Sequence, residues 1–225
     1  MKPLRSGKRK DAFTLTEVVA VLGVVLLLAA IFLSSSRVKQ TRGLIQCNNN
    51  LKQIDLAFKI WSNDGGDKYT TQVPAKWGGS MEAAAAGNVA AIFQSMSNEL
   101  NTPFILVCPS DKNRHEAADF TTDFSSKNIS YFVGIDAAED NPASIVAGDN
   151  HLQVNGSPVR PGVVEIDTNT PIAWTAERHR STGNIALADG SAAQATSPGL
   201  VNAVLNQRQF DYRGPTNRFN RFVFP

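Results

Sequence analysis

The sequence is poor in the residues on which catalysis is usually built. Three histidines and two cysteines are all that 225 residues offer as nitrogen and sulfur ligands. There is no HExxH, no GxSxG, no phosphate loop and no glycine fingerprint for a dinucleotide. An EF-hand run of alternating oxygen donors is missing too. Glu165 and Asp167 alternate on one strand candidate, which alone does not make a catalytic carboxylate pair. The chain therefore reads as a non-enzyme with no required cofactor, calcium being the one ion left open. Two cysteines are too few for a disulfide scaffold, but they allow one bridge outside the reducing cytoplasm. A broad basic surface is also lacking. The net charge is +2, and Lys2, Arg5, Lys8, Arg9 and Lys10 crowd the first ten residues, leaving the remainder mildly acidic. Nucleic acid is not an expected partner.

What the sequence does have is a long apolar run. Residues 18–33, VVAVLGVVLLLAAIFL, carry no charge, and extending back to Phe13 adds only Thr14, Thr16 and Glu17 as polar groups. As a helix the 21 residues would rise roughly 30 Å, the thickness of a bilayer core. The basic cluster ahead of the run places the N-terminus in the cytoplasm and the body across the membrane. A cleaved secretory signal would need a small-x-small site after the run, for which Ser34–Ser36 are the only candidates. A plain signal anchor would need nothing further. Neither explains Glu17, whose carboxylate would cost on the order of 2.5–3.5 kcal/mol at the bilayer centre.

Ala12-Phe13-Thr14-Leu15-Thr16-Glu17, between a short basic leader and an apolar run, resembles the prepilin peptidase site of type IV pilins and pseudopilins. The resemblance implies cleavage between Ala12 and Phe13, methylation of the new Phe13 amine and retention of the apolar segment. Glu17 becomes the fifth residue of the product and pairs with that amine or with a neighbour's. Ala12 stands where the family usually has Gly, and Ser34 where many pilins have a kinking Pro. The family's partners are other pilin or pseudopilin subunits, prepilin peptidase and the membrane. Its setting is a type II secretion pseudopilus or a type IV pilus-like filament, anchored in the inner membrane with the head in the periplasm. A membrane-tethered binding head that does not polymerise is the alternative.

No proline occurs between Leu4 and Pro74, and Leu44, Cys47, Leu51, Ile54, Phe58 and Trp61 form one helical stripe. The spacing predicts one helix from 13 to about 62, roughly 75 Å long, ended by Asn63-Asp64-Gly65-Gly66. The expected organisation is a leader (1–12), a transmembrane half (13–33), an amphipathic half (34–62) and an exoplasmic α+β head (63–225). This is a pilin-like architecture, a long helix packed on an antiparallel sheet. The segment CNNNLKQIDLAFKIW from Cys47 is similar to the Cys and Asn-Leu-Lys-Gln-Ile segment of a pseudopilin-like group abundant in planctomycetes and verrucomicrobia.

In the head, residues 81–100 read as a helix weakened near Gly87. FILVC (104–108), ISYFVG (129–134), SIVAG (144–148), VVEI (163–166), IAWT and NIALA (184–188) are strand candidates, and 200–209 a last helix. Cys47 and Cys108 are either two buried thiols or one bridge between the long helix and the sheet. His179 followed by nine residues and Asp189-Gly190 matches the His-x9-Asp-Gly motif of the same pseudopilin-like group. Locally it predicts a strand, a type I′ turn at Asp189-Gly190 and a returning strand; the other reading is a cation or subunit contact through Asp189. Asp149 and His151 could join Asp189 and His179 in a mixed oxygen and nitrogen site, or form a polar turn. His115 falls in a solvated loop. The C-terminal stretch interleaves Arg208, Arg213, Arg218 and Arg221 with Phe210, Tyr212, Phe219, Phe222 and Phe224. It reads as a tail packed on the head, or as a polymer-binding surface.

Overall fold

The computed structural model describes residues 14–209 and 220–225, with the side chains of 32–41, 208 and 209 left out. Ala12 and Phe13, the expected cleavage site, lie outside these, as does the side chain of Ser34. The chain divides into two compact units, Met1–Thr41 and Arg42–Pro225.

The first helix, α1, runs Leu15–Gly65. Its start is a capping box that the sequence reading did not use. Thr14 N and Oγ1 both donate to Glu17 Oε2, at 2.8 and 2.7 Å, and Glu17 N donates to Thr14 Oγ1 at 3.4 Å. Glu17 thus has a local role as well as the one expected of it. Among the described residues no helix is long and apolar enough to cross a membrane. The described side chains of the apolar run stop at Ile31, whereas the run in the sequence continues to Leu33. At its other end α1 passes the expected stop by three residues. Gly66 at φ +80° and Asp67 at φ +59° then turn the chain away.

The second unit is a three-layer α+β body. A six-stranded, wholly antiparallel sheet has the order β5-β9-β1-β2-β7-β8. Its strands are β1 Tyr131–Gly134, β2 Ile145–Asp149, β5 Gly162–Ile166, β7 Thr182–Leu187, β8 Ala192–Thr196 and β9 Asn220–Phe224. A small second sheet pairs β4 Ser157–Pro158, β3 Leu152–Val154 and β6 Ile172–Trp174. Alternation along the strands feeds two cores. Tyr131, Val133, Val146, Ala186 and Val223 face α1, meeting Cys47, Leu51, Ile54 and Phe58. Phe132, Ile145, Ile185, Phe222 and Phe224 face the other way, meeting Leu152 and Trp174 of the small sheet and Leu200 and Val204 of α5 (Ser197–Gln209). Because the central strands are covered on both faces, all four residues of β1 and all five of β2 are buried.

Several expectations are corrected. FILVC is not a strand: Pro103–Leu106 is a 3₁₀ turn with Pro in its first turn and Phe104 N donating to Thr102 Oγ1. Proline at a helix start overrides the β-branched composition that follows. The region 81–100 is three short helices, α2 Met81–Ala85, α3 Val89–Gln94 and α4 Ser97–Leu100. The turn after β7 is not type I′. Asp189 lacks a positive φ, Gly190 alone has one (+93°), and Gly190 N bonds Leu187 O at 2.9 Å. That is a three-residue hairpin loop with glycine in the left-handed position. Finally, residues 220–224 of the C-terminal stretch do not lie on the head as a tail but enter the sheet as an interior strand. Arg221 spends its charge on buried Asp136, with Nη2 2.6 Å from Oδ1, and Phe222 and Phe224 are core. Arg208, Phe210, Tyr212, Arg213, Arg218 and Phe219 have no described side chains.

Gly87 shows why the alanine-rich helix breaks. Its φ is +73°, and a Cβ there would lie 2.9 Å from the Cα of Gly162. Gly87→Ala should therefore destabilise the fold by at least about 1–2 kcal/mol from the left-handed backbone alone. Urea denaturation of the full chain in detergent measures it; an unchanged midpoint would contradict this account of the break.

Candidate functional site

The buried polar groups of the second unit gather where α1 crosses the ends of β2 and β7. Cys47, on the inner face of α1, and Cys108, just after the 3₁₀ turn, form a disulfide with a Cα–Cα distance of 5.2 Å and a sequence separation of 61. Closing a loop of that size restricts the unfolded chain by about 4 kcal/mol in the chain-entropy account. Of the two readings left open by the sequence, the bridge is the one present.

His179 lies against this bridge, Nε2 3.3 Å from Cys108 Sγ. Its backbone is unusual. His179, Arg180 and Ser181 have φ of +52°, +56° and +61°, three successive non-glycine residues in the left-handed region. Such residues occur singly as a rule, at a cost of roughly 1–2 kcal/mol each. Thr182 holds the turn closed, its Oγ1 donating to His179 O at 2.6 Å. The same ring nitrogen, Nε2, is 3.9 Å from Asp149 Oδ2. Asp149, the last residue of β2, accepts at Oδ2 from Asn184 N (2.7 Å) and Asn184 Nδ2 (3.0 Å). His151 stacks beside Trp174 at 5.1 Å and meets the His179 ring edge-on at 5.7 Å. Its Nε2 is 2.9 Å from Thr182 O and so carries the proton. Arg178 Nη1 pairs with Asp111 Oδ2 at 2.9 Å, both side chains buried.

The electrostatics are governed by this burial. Desolvation raises the Asp149 carboxyl to about 6, with the Arg178 charge and the Asn184 donors opposing it. It lowers His179 to about 4 and His151 to about 3, and Arg178 acts in the same direction on both. At neutral pH the site therefore holds two neutral imidazoles and an ionised Asp149. A cleft of about 190 Å³ opens beside it, lined by Arg114, Asn150, His151, Thr175 and Arg178 among others.

The spacing of the His-x9-Asp-Gly motif now has a geometric meaning. His179 meets the Cys47 bridge at one end of β7. At the other end the Gly190 loop sits on α1, a Cβ there coming 2.9 Å from the tip of the Lys59 side chain, and the left-handed φ of +93° is what calls for glycine. The two docking points on α1 are 12 residues apart, roughly 18 Å of helix, and the strand between them spans that distance. Asp189 is consequently remote in the fold from His179 and Asp149. It caps its own loop, Oδ1 accepting from Ser191 N at 2.8 Å. The imagined four-residue site is thus divided: Asp149, His151 and His179 come together and Asp189 does not. His115 is exposed, as a solvated loop residue would be. Asp55, which is no member of the apolar stripe of α1, is nevertheless only 2% exposed. It lies 3.8 Å from Lys59 Nζ beneath the Gly190 loop. Arg178 and Asn184 were missed altogether; a buried acid on a strand end was the only hint that donors must be near.

Comparison with family models, curated proteins and solved structures returns no match.

Burial raises the Asp55 carboxyl from 3.8 to about 6, Lys59 opposing and Asp189 and Glu139 adding to the rise. A raised folded value means the native state binds the proton more tightly than the unfolded chain. That contribution to stability is complete below about pH 4 and lost as pH rises through 6. Asp55→Asn should remove the dependence, so the stability of the variant relative to wild type climbs between pH 4 and 7 by an amount on the order of 2 kcal/mol. Urea titrations across that range test it, and a pH-independent difference would rule the assignment out.

Proposed function

We propose that the protein is a pilin-like structural subunit, cut between Ala12 and Phe13 and assembled through its N-terminal helix into a pseudopilus or pilus-like filament. The observation that carries this reading is the surface of α1 from Leu15 to Ile31. Leu15, Val19, Val21, Leu22, Leu26, Leu27 and Ile31 are each more than half exposed, and the exposed apolar residues lie on every side of the helix. So large an uncovered apolar surface does not persist in water. It calls for lipid before assembly and like helices after it, packed by van der Waals contact. The sequence continues the run to Leu33, long enough for a bilayer. On this reading the N-terminus stays cytoplasmic and the head is exoplasmic, in keeping with a disulfide that the cytoplasm would reduce.

Glu17 then has two tasks. Within one chain it caps the helix through Thr14. In the filament its second carboxylate oxygen is available to the Phe13 amine of a neighbour, the pairing that would make an acid tolerable in an apolar interior. The protein has no chemistry of its own in this account; its work is mechanical. The cleft beside Arg114 and Arg178 supports a second reading, a tethered head that binds a ligand and does not polymerise.

Mass spectrometry of the mature chain should give a methylated N-terminus at Phe13; an intact Met1, or a start after Ser36, sinks the proposal. Single cysteines introduced at Val19 and Leu26 should crosslink between subunits. Glu17→Ala should lower that yield by well over tenfold while leaving cleavage intact, since removing one partner of a buried pair costs about 3–5 kcal/mol. A tethered monomer would give no crosslink in either background.

A further inference from the structure

The bridge, His179 and Asp149 have more in common than packing. One donor atom from each of Cys47, Cys108, Asp149 and His179 lies within 4.8 Å of every other, and all four residues are buried. They come from separate places in the chain: the inner face of α1, the segment after the 3₁₀ turn, the end of β2 and the left-handed turn before β7. Two thiolates, an imidazole and a carboxylate form a donor set suited to tetrahedral zinc. The separations fit as well. Zn–S bonds of about 2.3 Å and Zn–N bonds of about 2.0 Å place tetrahedral neighbours roughly 3.5 Å apart. His179 Nε2 is 3.3 Å from Cys108 Sγ and 3.9 Å from Asp149 Oδ2.

A second observation points to a cation. With the bridge closed, His179 Nδ1 and Asp149 Oδ1 are buried without a hydrogen-bond partner among the described residues. The other ring nitrogen, Nε2, is the one that faces the sulfurs. Its neighbours are a disulfide sulfur, a poor acceptor, and Asp149 Oδ2 at 3.9 Å, beyond hydrogen-bond reach, so it is this nitrogen that an ion between them would satisfy. A fully buried imidazole and carboxylate are normally satisfied. Here both are held beside the two sulfurs, the ring at the expense of three left-handed residues, a kind of strain that collects at functional sites.

We propose that, once its disulfide is reduced, the protein binds one zinc ion through Cys47, Cys108, His179 and Asp149. Bridge and metal are then alternative occupants of one site. A phosphine together with water, or a dithiol, supplies two electrons to the S–S bond and the two protons that complete the thiols. The phosphine takes the oxygen of that water and leaves as phosphine oxide, and the dithiol leaves as its disulfide. Zinc then displaces the two thiol protons as the Zn–S bonds form. Reoxidation by a thiol oxidant withdraws two electrons, rebuilds the S–S bond and expels the ion. The reduced, metal-bound form is the state open to a chain that has not yet met an oxidant. The inference stands independently of filament assembly.

The test uses the full chain in detergent, reduced with a phosphine under anaerobic conditions, equilibrated with zinc chloride and desalted. Elemental analysis should find about one zinc per chain after reduction and essentially none in the oxidised protein. Cobalt in place of zinc should give thiolate charge-transfer absorption and the visible bands of a tetrahedral site. His179→Ala and Asp149→Ala should each weaken zinc binding about tenfold or more, whereas Asp189→Ala should not. Reduced wild-type protein that retains no zinc overturns the proposal. So does binding that is indifferent to both substitutions, which would mean the thiols act alone. Should a variant fail to fold, alkylation of the wild-type cysteines decides: bound zinc is expected to slow it by about tenfold, and equal rates with and without zinc overturn the site.

Discussion

The contact between the inner face of α1 and one side of the six-stranded sheet is the constraint that organises the second unit. Cys47, Leu51, Ile54 and Phe58 supply its apolar part, and several polar features of the head fasten to that face. The disulfide ties it to the segment before β1. Asn50 donates to Val107 O and to the Tyr131 hydroxyl, both at 3.2 Å, so even its polar residue is spent on the interface. At the far end Ser62 bonds Glu139. A helix that begins with apolar residues exposed all round thus ends with one face saturated. The change falls near residue 42, where the second unit starts.

The same face collects the charges. Asp55, Asp149, Asp111 and Arg178 are all largely withdrawn from water. Taking ions out of solvent is costly, and their mutual attraction seldom does more than cancel that cost. Their value here is positional. Arg178 holds Asp111 and bonds Asn150, and the two imidazoles rest on either side of Thr182 and the bridge. An apolar filling of equal volume would have packed as well but would have left the left-handed turn at His179 without its fastenings.

Much of this was legible in the sequence, for reasons that can be traced. The stripe from Leu44 to Trp61 gave the buried face of α1 because helical periodicity survives wherever one side meets a core. Strands β1, β2, β5 and β7 were readable because they are apolar and bounded by Pro, Gly, Asn or Asp. Strands β3 and β4 were overlooked although Asn155-Gly156, with φ of +51° and +77°, is the type I′ signal itself; their few residues were too short a pattern. β9 was read as a tail packed on the head or a polymer-binding surface: the burial of its aromatics was within reach, but its alternating arginine hid that it is a strand inside the sheet. The polar cluster was half visible. His179 and Asp149 stood out as chemistry-bearing residues, but nothing local says that Asp189 faces the opposite end of a strand. The burial of Asp55 was not legible, because periodicity ranks positions by their neighbours and cannot see a lysine and a glycine loop closing over a carboxylate.

The sheet order has a consequence for the time course of folding. β9 lies between β5 and β1, so residues 220–224 bridge two strand groups laid down at least 54 positions earlier in the chain. A polypeptide emerging from its N-terminus can pair β1 with β2 and later β7 with β8, but β5 has no place in the sheet until the last-made strand arrives. Non-local pairing of this sort is slow, and it leaves strand edges open while it waits. The head is therefore built to be completed in one late step, once residues 220–224 are available to the sheet, and not piecemeal as the chain is made.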